Sequence, residues 1–422
     1  MEVIYKTNNG RLIHGDNIEI IKKLKENSIH SCISDFPYDL SFMGKKWDTT
    51  GNFYEWCKLR AEPLYRIIKP GGYVCIFGHP KTNHRMKCAF EDAGFNIVEE
   101  IDWVYGTGFP KNQDIGKLFD KKAGAERPLS DIQRPIGGKN GVYEGQGGNW
   151  GETLNIPQTE LAKKWNGYKT AGLKPAHEPI TVFQKPLEGT YINNIEKHNV
   201  GGMNIDACRI PLQETGEDKR LGGKGTWSTE KAAENIYEGG YAGERVSSSE
   251  LGRFPANMFF DSSMGEVLDN QSGISKSTGG SGDRSKGALG DSVYGKYKND
   301  ELSANAGGLG DTGGASRYFL NIDTEDFVPF LYCPKATKKE KGEGNTHVTV
   351  KPKALIKWLI KLVTPINGKT IDITAGSGTH GLSCEELNKE EGYNLKWINI
   401  ELLNSEKEPY CDIAMNRIKK VI

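Results

Sequence analysis

The stretch Tyr73-Val74-Cys75-Ile76-Phe77-Gly78 offers no polar side chain to either face of a strand. Such a strand must be covered on both sides, and the common solution is a parallel sheet with helices front and back. The flanking sequence supplies those covers. Arg11-Leu12-Ile13-His14-Gly15-Asp16 reads as a short strand ending in Gly-Asp, and Asn17 is placed to cap a helix carrying Ile18, Ile20, Ile21 and Leu24. His30-Ser31-Cys32-Ile33 is a second apolar run. Phe53 to Ile68 has helical spacing, with Trp56, Leu64 and Ile67 as core candidates, and Pro63 is expected to bend or split it. Lys69-Pro70-Gly71-Gly72 is expected to stop it. Thr82 to Ala93 reads as a helix closed by Gly94, and Phe95 to Tyr105 as another strand. The alternation of strand and helix sets the fold class: α/β, with a mostly parallel sheet.

Regularity fades after Gly106-Thr107-Gly108-Phe109-Pro110. It returns at Lys174-Pro175-Ala176-His177-Glu178-Pro179-Ile180-Thr181-Val182-Phe183, read as one more strand of the sheet. Residues 201–320 hold 23 glycines, well above the roughly 7% of average usage. Apolar islands interrupt this region at 203–206, 253–260 and 317–319. It reads as a loop-rich insertion, partly disordered unless a partner orders it. The tail is ordered again. Pro352 precedes a helix over Ala354 to Val363, and a strand ending in Asp372 leads into Ile373-Thr374-Ala375-Gly376-Ser377-Gly378-Thr379. A helix over Gly381 to Leu387, a strand ending in Glu401, and a last helix through Ile413, Met415 and Ile418 follow.

Composition removes several classes. Lys+Arg and Asp+Glu are both 55, so any basic surface for nucleic acid must be local. The 8 cysteines form no C-x-x-C pair, which argues for reduced thiols rather than a zinc site or a disulfide framework, and no metal is expected. No apolar run approaches the roughly 18 residues of a membrane span, and the N-terminal residues contain no secretory apolar region, so a cytoplasmic location is expected.

Two stretches carry chemistry. Ser34-Asp35-Phe36-Pro37-Tyr38 ends a buried strand in a carboxylate, a stiff turn and an aromatic ring. That set suits a planar ligand bearing an amine: the carboxylate and a turn carbonyl accept its two protons, and the ring stacks on its face. The second stretch is the glycine loop. Strand, Ala375-Gly376-Ser377-Gly378-Thr379, helix, strand and Glu401 together form a nucleotide-binding arrangement, with a carboxylate placed for two ribose hydroxyls. The loop lacks the lysine of a phosphate-binding loop, and a nucleoside with little or no phosphate fits better.

Taken together, these stretches resemble the amino-group DNA methyltransferases that use S-adenosyl-L-methionine. The order, target-amine motif first and cofactor loop last, is similar to their circularly permuted β class, nearest to bacterial and phage adenine methylases. The resemblance extends to Arg11–Asp16, Leu40–Asp48, Gly106–Lys111, Lys174–Ile180 and His347–Pro352. It implies a Rossmann-like class I methyltransferase sheet, circularly permuted, with a catalytic lobe over 1–110 and an insertion over 111–171. A returning strand would follow at 172–187, then a Gly-rich target-recognition insertion over 188–324 and a cofactor lobe over 325–422.

The implied roles are specific. Asp35 and the Phe36 carbonyl accept from the target amine in the Asp35-Phe36-Pro37-Tyr38 motif, and Tyr38 stacks the extruded base. Asp372, Ala375, Gly376, Ser377, Gly378 and Thr379 hold the methionine end and ribose, Glu401 takes the ribose hydroxyls, and Asp16 takes the cofactor's adenine amine. Thr349, Lys351 and Pro352 close over its methionine part. The implied partner is double-stranded DNA with the base flipped out, and a homodimer and a separate restriction endonuclease are both compatible with the resemblance. The implied reaction is methylation of adenine N6. Cytosine N4 is the alternative target, and a DNA-binding protein with a decayed cofactor site is the alternative class. The sequence departs from the family pattern at three places. Phe36 and Val348 stand where it has Pro, and Ile373-Thr374 where it has Pro-Phe. Loss of that Phe is expected to weaken cofactor packing.

Overall fold

The computed structural model describes residues 2–40, 46–105, 112–133, 153–210, 252–276, 312–322, 345, 347 and 350–422. Ten strands form the main sheet: β1 (Glu2–Lys6), β2 (Gly10–His14), β3 (Ile29–Asp35), β4 (Ile68–Phe77), β5 (Asn96–Val104), β6 (His177–Gln184), β7 (Met258–Asp261), β8 (Leu320–Ile322), β9 (Lys369–Asp372) and β10 (Lys396–Glu401). Their order across the sheet is β1-β2-β10-β9-β3-β4-β6-β5-β7-β8. Neighbours are parallel except where β1 meets β2 and where β6 lies between β4 and β5. The fold is therefore of the expected α/β class, a mostly parallel sheet covered by helices. The single reversed strand inside it was not legible, because a doubly buried strand looks the same in either direction.

β4 shows why the sheet needs two covers. Tyr73, Cys75 and Phe77 enter one core with Trp358, Leu359 and Leu382, while Val74 and Ile76 enter the other with Ile20, Leu64 and Phe90. Full burial of each large apolar side chain contributes about 1.5–3 kcal/mol. The helices that pack there include α1 (Asn17–Lys22), α2 (Phe53–Ile67), α3 (Asn83–Asp92), α4 (Lys353–Val363), α5 (Thr379–Glu390) and α6 (Tyr410–Lys419).

Several local expectations are corrected. α2 runs unbroken through Pro63. The carbonyl that Pro63 cannot serve belongs to Leu59, an exposed position, so water can take it. The strand after α2 begins at Ile68 rather than beyond Gly72: Ile29 pairs with Ile68 and Ser31 with Tyr73, so a bulge absorbs the Pro-Gly-Gly stretch. α1 is capped by Asp16, whose side chain accepts from the Glu19 N–H at 3.1 Å; Asn17 is instead buried inside the first turn. Part of the Gly-rich region belongs to the sheet, since β7 runs parallel to β5 and β8 parallel to β7.

Chain order explains where a ligand can sit. From β9 the chain moves outward to β10, and from β3 it moves the other way to β4, yet β9 and β3 are hydrogen-bonded neighbours through Thr370–Ser31 and Ile371–Cys32. Such a reversal opens a crevice at the carboxyl ends of the strands.

Candidate active site

A cavity of about 1020 Å³ occupies that crevice. Asp16, Asp35 to Tyr38, Lys351, Asp372, Ala375 to Ser377, Thr379 and Glu401 all line it. Gly378 and Pro352 stand behind the wall, at the N-caps of α5 and α4. Thr349, Val348 and the stretch from Met43 to Lys45 lie outside the described residues, as does Cys333.

At one end, Asp35 closes β3 and faces the cavity. The Tyr38 hydroxyl lies 3.1 Å from Asp35 Oδ1 and 2.9 Å from Glu178 Oε2, so its single proton serves one carboxylate at a time. Lys351 ion-pairs with Asp35 Oδ2, donates to the Tyr38 hydroxyl at 3.0 Å and lies 3.5 Å from Glu178 Oε2. Burial, followed by the Asp35 and Glu178 charges, pushes the Tyr38 phenol well above its ordinary value, so it stays a donor. The turn itself is held by Asp48, a buried carboxylate that accepts from the backbone N–H groups of Tyr38, Asp39 and Leu40 at 2.7, 3.0 and 3.2 Å. Thr82 fixes the other side, donating to the Tyr38 carbonyl at 2.9 Å. The Phe36 ring turns inward, edge-on to Trp56 at 5.2 Å.

At the other end, β3 and β9 are tied together. Ser34 Oγ donates to Asp372 Oδ1 at 2.8 Å and accepts from the Ile373 N–H at 2.9 Å, while Thr374 Oγ1 donates to the Asp35 carbonyl at 3.0 Å. Glu401 accepts from the Gly376 N–H at 2.7 Å through one oxygen and from the Leu403 N–H at 2.9 Å through the other. Each of those oxygens keeps a lone pair for a cavity ligand. Burial raises both Asp372 and Glu401 to about 7. Gly376 and Gly378 have φ of 52° and 75°; a Cβ on the first would meet His347 Nε2 at 2.7 Å, and one on the second would meet the Ala414 Cβ at 2.7 Å. Both glycines are therefore required by φ and by space. Arg417, from α6, donates to Ser377 O, Ser377 Oγ and Thr379 Oγ1 at 2.7, 2.9 and 2.9 Å, bracing the loop from behind.

Four residues with roles here escaped the sequence reading: Asp48, Glu178, Arg417 and Asn17. Glu178 carried a usable signal, a carboxylate just before Pro179 in an otherwise apolar strand. Arg417 carried another, a guanidinium on the apolar face of Ile413, Ala414 and Ile418. Asn17 donates to the Ile373 carbonyl at 2.9 Å and leaves a buried Oδ1 without a partner at the cavity wall. Among the described residues no group of three His, Cys, Asp or Glu could hold a metal ion, and no helix is long and apolar enough to cross a membrane.

Type II methyltransferase M.HindIII of Haemophilus influenzae is 24% identical over 234 residues, covering 46% of this chain and 64% of that protein. Type II methyltransferase M.HpaI of Haemophilus parainfluenzae is 36% identical over 117 residues, covering 26% of this chain and 36% of that protein. The matched segments thus span under two thirds of either relative's length. The solved PvuII DNA methyltransferase, cytosine-N4-specific, superposes with a TM-score of 0.42 at 12% identity, covering 99% of this chain and 95% of that one. A DNA methylase family of the N6/N4 type matches residues 29–416, nearly the whole chain, and this protein belongs to that family.

Proposed function

We propose that this protein transfers a methyl group from S-adenosylmethionine to the exocyclic N6 of an adenine flipped out of duplex DNA. One observation carries the reading: Asp35, the acceptor of an amine, ends the strand directly beside the one that leads into the glycine loop, with Ser34 hydrogen-bonded to Asp372 across the boundary.

The cofactor fits the far end of the cavity. Ala375, Gly376 and Ser377 line that end, Glu401 keeps lone pairs for ribose hydroxyls, and the orphaned Asn17 Oδ1 offers a further acceptor. When bound, S-adenosylmethionine supplies an electrophilic methyl group on a sulfonium. The chain's own part is acceptance and alignment. An aromatic amine has its lone pair delocalised into the ring. Asp35 and the Phe36 carbonyl, each taking one N–H, draw that nitrogen toward a pyramidal geometry with its lone pair facing the methyl, and positioning of this kind contributes several kcal/mol. Tyr38 supplies the face on which the base stacks. The carboxylate at 35, where the family's cytosine enzymes favour a serine, supports adenine. The Gly-rich insertion over 188–324, apart from the segments 258–261 and 320–322 that join the sheet, is assigned to target reading, and the cytoplasm, where the DNA lies, is the site of action.

Methylation of plasmid DNA followed by nucleoside mass spectrometry and modification-aware sequencing tests the proposal. N6-methyladenine is expected, and N4-methylcytosine alone would overturn the adenine assignment. Asp35→Ala should abolish transfer while leaving cofactor binding intact; a variant that still methylates removes Asp35 from its role.

A further inference from the structure

The seat in which the target amine belongs already has an occupant. The Lys351 ammonium rests on Asp35 Oδ2, and Asp35 is the most accessible of the three groups: its side chain is 23% accessible, against 4% for Lys351 and 3% for Glu178. An arriving amine therefore meets a carboxylate that is capped. The cap has somewhere to go. Glu178 Oε2 lies 3.5 Å from the same nitrogen, already within ion-pair reach, so rotation of the lysine side chain away from Asp35 exchanges one close carboxylate contact for the other. The Tyr38 hydroxyl spans the two carboxylates and accepts from the ammonium at 3.0 Å, so it can follow either arrangement. The rings of Phe77 and Tyr38, 4.8 and 5.3 Å from the nitrogen, shelter the short path between the two seats. An ammonium that slides from Asp35 toward Glu178 keeps a carboxylate partner throughout, whereas one that left for bulk water would give up both contacts.

We propose that Lys351 is a resident cap on Asp35, and that Glu178 is the positioning residue that receives it when the target amine takes its place. The proposal rests on the reading of Asp35 as the amine acceptor. It assigns Glu178 a task in base capture that a merely structural carboxylate does not have. Without the second seat, Lys351 stays on Asp35 and competes with the base, so the binding-competent fraction of the enzyme falls and the apparent affinity for DNA falls with it.

The test is labelled-methyl transfer to plasmid DNA at saturating cofactor, comparing the parent with Glu178→Gln, Lys351→Met and the double variant, each checked by its melting curve. Glu178→Gln is expected to raise KM for DNA by about tenfold or more with a smaller change in kcat, and adding Lys351→Met to it should recover most of that loss, because two members of one network couple strongly. A double variant as poor as Glu178→Gln, or worse, overturns the hand-over. If Glu178→Gln does not fold, Glu178→Asp decides: it keeps the charged seat and should remain within about threefold of the parent, well inside the spread expected of coupled neighbours. A large KM rise in that variant, once folded, refutes the proposal. Asp35→Asn separates the two levels. Full activity in Asp35→Asn would remove the amine-acceptor reading itself. An inactive Asp35→Asn beside an unrescued double variant would remove the hand-over alone.

Discussion

Replacing Asp372 by Asn should make the cofactor-free protein more stable, by an amount that grows with pH. The Asp372 carboxyl is buried, 7% exposed, and its Oδ1 accepts from Ser34 Oγ at 2.8 Å and the Thr374 N–H at 3.1 Å. An asparagine Oδ1 can keep both contacts. What it removes is a charge that burial disfavours, with the Asp35 and Glu401 carboxylates adding to the effect, and that lifts the carboxyl from its ordinary 3.8 to about 7. At about 1.4 kcal/mol per pH unit this corresponds to roughly 4 kcal/mol.

The sign follows from proton counting. Between the two values the folded protein holds a proton that the unfolded chain has lost, so stability falls as pH rises through that window, and above about 7 the full penalty is present. Below the unfolded value the penalty vanishes. Urea unfolding of parent and Asp372→Asn, followed by tryptophan fluorescence, should therefore show the variant gaining on the parent by about 2–3 kcal/mol between about pH 5 and about pH 8. A gap that does not change with pH, or a variant less stable than the parent at the upper end, would refute the reasoning.

Three further outcomes are expected. Asp48→Ala strands three backbone N–H groups of the 38–40 turn, each costing about 1–3 kcal/mol if left unpaired, so transfer should fall by at least about tenfold while calorimetric cofactor affinity changes little. Arg417→Met removes three contacts from the glycine loop, and cofactor Kd by titration calorimetry should weaken by about tenfold or more. Thr374→Val deletes the hydroxyl that reaches the Asp35 carbonyl, and denaturant unfolding should report a loss of about 1 kcal/mol.

The sequence disclosed those parts of the site that depend on chain-local pattern. Asp35 and the glycine loop could be brought together from the sequence, because each follows an apolar strand and the resemblance to the permuted methyltransferases implies that those strands are neighbours. Contacts between distant side chains left no such trace. Lys351 was read from the resemblance as closing over the cofactor, and nothing in the sequence signalled that its ammonium also lies on Asp35, 316 positions earlier in the chain by subtraction of the two residue numbers. Asp16 was expected to face a ligand and also caps α1, a double use that one carboxylate allows because its two oxygens diverge. The islands at 253–260 and 317–319 were legible as apolar, but their place in the sheet was not, because the Gly-rich composition around them gives no strand pattern; Phe259 is fully buried beside Trp358.

The departures from the family pattern are where structure adds most to the reading of the motifs. A proline at 373 would have no N–H to give; Ile373 has one, and it goes to Ser34 Oγ, which in turn donates to Asp372. A phenylalanine at 374 would have no hydroxyl; Thr374 has one, and it goes to the Asp35 carbonyl. Phe36 replaces a proline and fills the core against Trp56 and Phe90 instead. None of the three removes an acceptor for the target amine, which needs only the Asp35 carboxylate and a backbone carbonyl. Together they exchange rigid rings in the two turns for hydrogen bonds and packing that join the turns to one another. The strand that presents the amine acceptor and the strand that leads into the cofactor loop are thereby coupled through Ser34, Ile373 and Thr374. The Ile373 N–H and the Thr374 hydroxyl thus tie the cofactor loop to the strand of Asp35 by contacts that a Pro-Phe sequence could not make.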